Sequence, residues 1–337
     1  MKDNLINEFD SLLKKSKNTL IIPHKNPDGD ALGSSLALNF FLIKKGYNSI
    51  VISPNEYPSF LNWLPGQNEI VNFSLNQNKV ISLIDKADLI LTLDYNDLSR
   101  TGEMESLLTS TKIPIVMIDH HENPKSYASL TFSEPEISST SEMVYNIISK
   151  LDESKIDSNI ATCLYTGMMT DTGSFRFPST TSKTYLIASK LIAIGANQAE
   201  IHQNVYDNYT FDRIRLLGTC LSNLKKIKDL PVVYTFLSQK DLNINSFKKG
   251  DTEGFVNYGL SLKNISLSVI MIEDKLQNLI KMSFRSKGNF SVNKFAKIYF
   301  NGGGHHNAAG GSSFESLKDT KENFLKAIQE CKKDFEI

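Results

Sequence analysis

Short apolar segments alternate with helical ones through the first half of this chain, and this alternation is compatible with few folds. Four segments are β-branched or aliphatic over nearly their whole length, as strands covered on both faces are. They are residues 19–23 (TLIIP), 49–52 (SIVI), 88–93 (DLILTL) and 113–118 (IPIVMI). Helical sequence separates them, and residues 31–45 form such a stretch before Gly46. Because parallel strands require helical crossovers, the pattern predicts an α/β domain with a parallel sheet and helices on both faces.

The rest of the chain predicts a second, smaller α/β domain. At 337 residues the chain is long enough for about two domains. Helical sequence continues through residues 141–194 and 195–225, and strand-like segments follow at residues 231–237, 265–272 and 278–284. We therefore predict an N-terminal α/β domain over residues 1–194, a helical linker over residues 195–225, and a smaller C-terminal α/β domain over residues 226–337.

Composition excludes several classes of protein. Lys+Arg and Asp+Glu both number 37, so the chain lacks the basic footprint of a protein that grips long nucleic acid. Its three cysteines, Cys163, Cys220 and Cys331, form no CxxC pair, which fits a reducing compartment and argues against a disulfide framework. No apolar run approaches the ~18 residues of a membrane span. We therefore expect a folded cytoplasmic protein that binds neither membranes nor long nucleic acid.

Acidic and imidazole side chains stand where three of the predicted strands end. The first strand runs into His24 and the segment NPDGD, the third ends at Asp94, and the fourth ends in the triplet DHH at residues 119–121. A further acid, Asp171, lies in the segment MMTDTGSF, where Gly173 marks a helix end or a loop. Because ligands bind beyond the carboxyl ends of parallel strands, we expect these side chains to converge. The converging candidates are His24, Asp28, Asp30, Asp94, Asp119, His120, His121 and Asp171.

Metal ions would reconcile so many carboxylates in one place. Without a cation, clustered carboxylates repel one another and are driven to take up protons. Oxygen and imidazole donors without thiolates favour Mn²⁺, Mg²⁺, Fe²⁺ or Zn²⁺, and donors for two ions indicate a hydrolytic centre. Taken singly, each acid could instead be a turn residue or helix cap, and each histidine a core or surface group. The joint placement at successive strand ends favours the metal site.

A glycine-rich segment in the second half offers a way to bind phosphate. Residues 302–311 read GGGHHNAAGG, so a loop here could approach a ligand closely and form an anion-binding nest of N–H groups. His305 could add a donor, and Arg285, in the segment SFRS at a strand end, could engage two phosphate oxygens. A flexible loop with an unrelated surface arginine is the competing interpretation.

These segments resemble the motifs of the DHH phosphoesterase superfamily, in particular its DHH–DHHA1 branch, over nearly the whole chain. His24 with NPDGDALGS resembles the first motif, Asp94 in LTLDYND the second, residues 119–121 the third, and Asp171 in MMTDTGSF the fourth. The segments GGGHHNAAGG and SFRS resemble the glycine-rich signature and the arginine-bearing strand of the C-terminal domain. The resemblance implies a DHH metal-binding domain and a smaller DHHA1 domain that binds substrate, with a cleft between them.

The resemblance also implies roles for individual residues, with two Mn²⁺ ions as the cofactor and Mg²⁺, Co²⁺ or Fe²⁺ as substitutes. The first ion would be bound by His24 and Asp28, the second by Asp30, His120 and Asp171, and both by Asp94. Catalysis would further use Asp119, which orients its neighbours, and His121, which faces the scissile phosphate. The substrate-binding residues would be Ser283, Arg285, Gly302, Gly303, Gly304, His305, Ala308, Ala309 and Gly310.

Within this superfamily, the chain is similar to compact enzymes that act on short nucleotides. The RecJ-type exonucleases are longer, and the family II inorganic pyrophosphatases have a different C-terminal domain. We therefore expect a hydrolase that degrades short oligoribonucleotides and linear dinucleotides to mononucleotides and dephosphorylates pAp, with relatives suggesting a homodimer. A phosphodiesterase for cyclic dinucleotides such as cyclic di-AMP is the alternative with the same chemistry. A dinucleotide sensor without catalytic activity is the alternative of a different class.

Overall fold

The computed structural model describes residues 3–335, which fall into two units that divide between Asn208 and Tyr209. This division lies inside the segment that the sequence predicts as a linker, residues 195–225. None of the helices between Asp3 and Phe335 combines the length and the apolar character that a membrane span requires.

A six-stranded parallel sheet forms the centre of the first unit, which confirms the predicted fold class. Its strands are β1 (Asn18–Pro23), β2 (Asn48–Ser53), β3 (Val71–Asn72), β4 (Leu89–Leu93), β5 (Ile115–Asp119) and β6 (Leu130–Ser133). They lie in the order β3-β2-β1-β4-β5-β6, and every neighbouring pair is parallel. The four apolar segments of the sequence are the four central strands. The two edge strands escape prediction because they are short and half polar.

Helices cover both faces of this sheet. They are α1 (Asp3–Lys15), α2 (Gly29–Lys44), α3 (Gln77–Asp85), α4 (Glu105–Ser110), α5 (Thr140–Asp152), α6 (Ser158–Asp171), α7 (Ser182–Ile194) and α8 (Gln198–Tyr206). Short 3₁₀ turns lie at Ser59–Leu61, Gln67–Glu69, Leu98–Met104 and Glu153–Lys155. Along β1, Ile21 packs into the core that α1, α2, α5, α6 and α7 share, whereas Leu20 and Ile22 pack towards α3 and α4. This alternation of side chains gives each face its own apolar core.

Helix α2 is buried almost all round, and 13 of its 16 residues are buried. Its position matters because it starts directly beyond the end of β1. A Cβ at Gly33 would overlap the backbone carbonyl of Cys163, so only glycine allows α2 to lie this close to α6. The beginning of α2 and the end of α6 therefore meet at the same edge of the sheet as the end of β1.

A mixed sheet of six strands forms the second unit. Its strands are β7 (Lys225–Lys226), β8 (Val232–Leu237), β9 (Leu267–Asp274), β10 (Leu279–Ser286), β11 (Gly303–Gly304) and β12 (Ala308–Ser313), in the order β11-β12-β10-β9-β8-β7. Only β8 and β9 pair in parallel among these neighbours. Its helices are α9 (Phe211–Ser222), α10 (Gln239–Ile244), α11 (Phe255–Leu260), α12 (Val292–Tyr299) and α13 (Leu317–Glu330), with a 3₁₀ turn at Lys332–Phe335. Apolar cores lie against both faces, as in the first unit.

Candidate metal centre and phosphate-binding residues

The eight acids and imidazoles predicted to converge do lie at one edge of the first sheet. Strands β1, β4 and β5 are neighbours there, and they end at or just before His24, Asp94 and His120. Helix α2 brings Asp28 and Asp30 to the same edge, and α6 ends at Asp171. Three groups of residues each have ligand atoms within 4.8 Å of one another. They are His24, Asp28 and Asp94; Asp30, His120 and Asp171; and Asp94, Asp119 and His121.

In the first group, His24 faces two carboxylates. Its Nε2 lies 3.9 Å from Asp28 Oδ2 and 3.6 Å from Asp94 Oδ2. Its Nδ1 donates a hydrogen bond to the backbone carbonyl of Lys25 over 2.9 Å, so the neutral imidazole has its lone pair on Nε2. The other oxygen of Asp28 accepts the backbone N–H groups of Asp30 and Ala31 as the cap of α2. Both side chains are thereby oriented as metal ligands require.

In the second group, His120 has the same arrangement. Its Nε2 lies 3.4 Å from Asp171 Oδ2 and 3.6 Å from Asp94 Oδ1. Its Nδ1 donates to the backbone carbonyl of Ile137 over 3.1 Å, which again places the lone pair of the neutral imidazole on Nε2. Asp30 completes this group from the first turn of α2.

Asp94 lies between the two groups. Its Oδ2 faces His24 and its Oδ1 faces His120, so one carboxylate presents one oxygen to each group. Its backbone has a positive φ of 68°, a conformation that non-glycine residues seldom adopt and that clusters at functional sites. Burial would raise the pKa of Asp94, but the adjacent imidazoles of His24, His121 and His120 hold that pKa well below its usual value. A carboxylate in this position can bridge two cations.

His121 is held by a carboxylate that is entirely buried. Asp119 Oδ1 accepts a hydrogen bond from His121 Nδ1 over 2.7 Å, and its Oδ2 accepts the backbone N–H of His121 over 3.0 Å. The ring of His121 is therefore fixed, and Nε2 is the nitrogen through which it can exchange a proton with another group.

Burial and mutual repulsion shift the pKa values of these groups. Burial, together with repulsion from Asp94 and Asp171, raises the pKa of Asp30 well above its usual value. Burial also raises the pKa of Asp171 to about 6, against the attraction of His120. Burial alone would lower the pKa of His24 and of His120, but the surrounding carboxylates raise both to about 9. Without cations the cluster therefore retains protons, and divalent cations could replace them as the compensating charge.

The donor atoms of these residues fit a pair of divalent cations. Each group combines imidazole nitrogen with carboxylate oxygen and contains no thiolate, the donor set that Mn²⁺, Fe²⁺ and similar ions accept. The first and second groups, between which Asp94 lies, together provide six side chains. These are His24, Asp28, Asp94, Asp30, His120 and Asp171.

Two residues of this edge are absent from the sequence-based prediction. The backbone N–H groups of Thr140 and Ser141, at the start of α5, donate to Asp30, and the Thr140 hydroxyl donates to Asp94. The segment SSTSE does carry a signal for a helix start, since Ser139 caps the backbone N–H of Glu142. That signal predicts the helix but not what its first turn contacts.

In the second unit, the proposed phosphate-binding residues lie on three neighbouring strands, except for Gly302 and His305, which lie next to β11. Ser283 and Arg285 are on β10, opposite Gly310 and Ala308 of β12. Both side chains are on the less buried face of β10, whereas Met282 and Phe284 point into a core. Strand β12 pairs in turn with β11, where Gly303 lies opposite Gly310. Ser283, Arg285 and the glycine-rich segment are thus brought together, as the sequence led us to expect.

The glycine-rich segment is a hairpin, which corrects the prediction of a loop. Residues 303–304 and 308–313 are strands, and the turn between them is closed by hydrogen bonds between the backbones of His305 and Ala308. A Cβ at Gly302 would overlap the carbonyl oxygen of Gly310, so these glycines allow two backbones to approach each other. Cross-strand pairing outweighs the weak β-propensity of glycine. The N–H groups of His305 and Ala308 are used inside the turn, so the expected succession of outward N–H groups is interrupted.

Comparison with known proteins covers both units. Residues 18–168 match the model of the DHH family, N-terminal domain, and residues 229–334 match that of the DHHA1 domain. The crystal structure of an exopolyphosphatase-related protein from Bacteroides fragilis has 38% identity and a TM-score of 0.95, covering 100% of this chain and 98% of that one. A probable bifunctional oligoribonuclease and PAP phosphatase, NrnA, from Streptococcus mutans is 26% identical over 94% of this chain and 99% of its own length. NrnA from Thermus thermophilus is 28% identical over 92% of this chain and 89% of its own length.

Proposed function

The chain belongs to the DHH family with a DHHA1 domain and is a hydrolase of phosphate esters, and from this premise we propose its substrates and its metal. We propose that it degrades short oligoribonucleotides and linear dinucleotides to mononucleotides, and that it dephosphorylates pAp (3′,5′-bisphosphorylated adenosine). Two Mn²⁺ ions are the proposed cofactor, with Mg²⁺, Co²⁺ or Fe²⁺ as substitutes. The relatives named NrnA, which align over most of their length, support this choice of substrates.

The observation that carries the proposal is the position of Asp94 between two groups of ligands. His24 and Asp28 are proposed to hold one ion, and Asp30, His120 and Asp171 the other. When bound, such a pair of cations would lower the pKa of a water molecule, so that hydroxide is available to attack phosphorus near neutral pH, and would compensate charge on the phosphate oxygens. This chemistry serves a phosphodiester and a phosphomonoester alike, because both reactions proceed at phosphorus.

His121 is proposed to donate a proton to the leaving group, and Asp119 is proposed to orient His121. Hydrolysis leaves a ribose oxygen that needs a proton, and an imidazole titrates near neutral pH. Asp119 accepts a hydrogen bond from His121 Nδ1 over 2.7 Å, which fixes the ring and leaves Nε2 as the nitrogen that faces the leaving group in this proposal. His121 is thus the proposed general acid, and Asp119 orients it.

The second unit is proposed to bind the terminal phosphate of the substrate. The guanidinium of Arg285 can engage two phosphate oxygens, and the Ser283 hydroxyl lies on the same face of β10. His305, in the turn of the hairpin, can add a third side-chain donor. Gly302, Gly303, Gly304, Ala308, Ala309 and Gly310 carry no long side chains, so they leave room for a ligand beside the strands.

One comparison favours a second candidate. The Bacteroides fragilis protein that is 38% identical is described as exopolyphosphatase-related, so hydrolysis of inorganic polyphosphate is a competing activity. The two candidates differ in whether the second unit recognises a nucleoside or only phosphate.

A substrate panel separates these possibilities. The purified protein would be incubated with Mn²⁺ and, separately, with 5′-pApA, pAp, cyclic di-adenylate, pyrophosphate and tripolyphosphate, with products resolved by chromatography. We expect mononucleotide from pApA and orthophosphate from pAp. Orthophosphate from the inorganic substrates alone would favour the polyphosphate candidate, and faster cleavage of cyclic di-adenylate than of pApA would favour the cyclic-dinucleotide alternative. Tight binding of pApA without any product would support a sensor.

A matched pair of variants ties any activity to the proposed centre. Asp94→Asn keeps the shape of the side chain and removes the charge that would bridge the ions, so turnover should be lost. Asp85→Asn makes the same change at an exposed position of α3 and should leave turnover unchanged. Equal activity of the two variants would contradict the assignment of Asp94.

A further inference from the structure

The first turn of α5 lies against the candidate metal centre although no side chain in it is a proposed ligand. Ser139 caps the helix, and residues 138–142 are all buried. The buried N–H groups of this turn and the buried hydroxyl of Thr140 need hydrogen-bond partners, because a buried polar group without one costs free energy. Two of those partners are carboxylates of the centre.

The first of these carboxylates is Asp30, which the helix holds through its backbone. Thr140 N donates to Asp30 Oδ2 over 2.7 Å, and Ser141 N donates to Asp30 Oδ1 over 2.9 Å. These N–H groups belong to the first turn of α5 and have no partner within the helix, so they favour a negative charge. Because both oxygens of Asp30 are engaged, the plane of this carboxylate is fixed.

The second carboxylate is that of Asp94, which Thr140 holds through its side chain. Thr140 Oγ1 donates to Asp94 Oδ1 over 2.9 Å, and both side chains are buried. Asp94 Oδ1 is the oxygen that faces His120, whereas Oδ2 faces His24. A donor on Oδ1 fixes the rotation of the carboxylate, so each oxygen points at one ligand group.

A glycine on α6 makes this contact possible. A Cβ at Gly167 would overlap Ser141 Oγ and lie 2.7 Å from Asp30 Oδ1. Only a residue without a side chain therefore lets α6 pack beside the start of α5 and beside α2 at this point. The helix terminus is built into the packing of three helices and does not depend on a surface contact.

We propose that Thr140 is a positioning residue for metal binding, which sets the orientation of Asp94, the shared carboxylate, and of Asp30, a ligand of the second group. This inference rests on the proposed function, because it takes the two ligand groups to be the metal centre. Thr140 contacts no reacting atom and acts through Asp30 and Asp94. Groups that hold metal ligands in this way typically contribute ~10–100-fold to metal affinity.

The hydroxyl of Thr140 can be removed while the shape of the side chain is kept. Thr140→Val preserves the volume and both backbone donors to Asp30, and it deletes the donor to Asp94. We expect Mn²⁺ affinity to fall by about tenfold or more, by analogy with the loss of other groups that orient metal ligands. Thr140→Ser restores a hydroxyl and should recover most of the affinity. Thr166→Val is the matched control, since Thr166 is equally buried but its hydroxyl bonds only to Thr162 of its own helix.

Isothermal titration of the metal-free protein with Mn²⁺ is the deciding measurement, together with the melting temperature of each metal-free variant. The inference predicts weaker Mn²⁺ binding for Thr140→Val at a temperature where it is fully folded, with Thr140→Ser and Thr166→Val close to the wild type. Equal affinity of Thr140→Val and the wild type would overturn the inference and leave the proposed function intact. If Thr140→Val fails to fold, Thr140→Ala carries the same comparison. A wild-type protein that binds no Mn²⁺ would overturn the proposed metal centre, and the role of Thr140 with it.

Discussion

The two units differ in how far their candidate functional side chains are buried and held by hydrogen bonds. In the first unit four of the six candidate ligands are buried, namely His24, Asp30, Asp94 and His120, and the last three expose 1%, 3% and 6% of their surface; Asp28 and Asp171 are partly exposed. Asp30, Asp94 and His120 are each fixed by at least one hydrogen bond, from a helix terminus, from a hydroxyl or to a backbone carbonyl. In the second unit, Ser283 and Arg285 are partly exposed on one face of a sheet.

This difference separates two kinds of contribution to hydrolysis. A buried and fully oriented group is prepared before substrate arrives, so its loss should change the rate of the chemical step. A partly exposed group that binds a phosphate should mainly change how tightly substrate is held.

The largest effect is expected when the bridging charge of the first unit is removed. Asp94→Asn should lower turnover of 5′-pApA by about a thousandfold or more, since a catalytic cation supplies several kcal/mol and each 1.4 kcal/mol is tenfold. Initial rates at saturating substrate and Mn²⁺ provide the measurement. A variant that kept more than a tenth of the wild-type rate would remove Asp94 from the centre.

The next effect concerns proton transfer within the same unit. His121→Gln should lower kcat by about a hundredfold or more, as expected when a general acid is lost. Its Mn²⁺ affinity should stay close to that of the wild type, because His121 is not among the six proposed ligands. Comparable loss of Mn²⁺ binding in this variant would show that His121 is a ligand instead of a proton donor.

A smaller effect, and of another kind, is expected in the second unit. Arg285→Ala should raise KM for pApA by about tenfold with little change in kcat, because a hydrogen bond to a charged group contributes about 1.5–3 kcal/mol. Lys281 is on the same face of β10 and pairs with Asp274 over 2.7 Å, so Lys281→Ala is a matched control with little expected effect. Equal changes in KM for both variants would indicate a general effect of positive charge. A fall in kcat alone would break the contrast between the units.

The smallest effect compares one glycine from a helix in each unit. Gly167→Ala should lower the free energy of unfolding by about 1–3 kcal/mol, since the added Cβ overlaps Ser141 and approaches Asp30. Gly218→Ala, within α9, meets no atom within 4 Å and should stabilise the protein by up to about 1 kcal/mol. Urea denaturation of the two metal-free variants measures the change in the free energy of unfolding, which should be a decrease for Gly167→Ala and an increase for Gly218→Ala. Equal destabilisation would contradict the close packing around Asp30.

Much of the first unit could be predicted from sequence because its signals are local. A run such as TLIIP predicts a strand covered on both faces, and the residue after it must lie at the sheet edge where ligands bind. By the same rule Asp94 and Asp119 were expected at that edge, where the structure places them. The mutual geometry of the side chains is a property of the folded chain and could not be read in this way.

What escaped prediction depends on contacts between distant parts of the chain. Asp30 and Thr140 are 110 residues apart in sequence, and no local sequence pattern near either residue predicts the hydrogen bond between them. The glycine-rich segment has a composition typical of loops, yet pairing with β10 makes it part of a sheet. In both cases tertiary contacts decide the outcome where local propensity is weak.

Anomalous scattering at the manganese edge, measured on a crystal of the protein soaked in Mn²⁺, would show whether Asp94 bridges two ions. We expect two anomalous peaks, one bonded to His24 and Asp28 and the other to Asp30, His120 and Asp171. Asp94 should contribute one oxygen to each peak. A single peak, or two peaks of which only one touches Asp94, would contradict the claim that this carboxylate bridges a pair of ions.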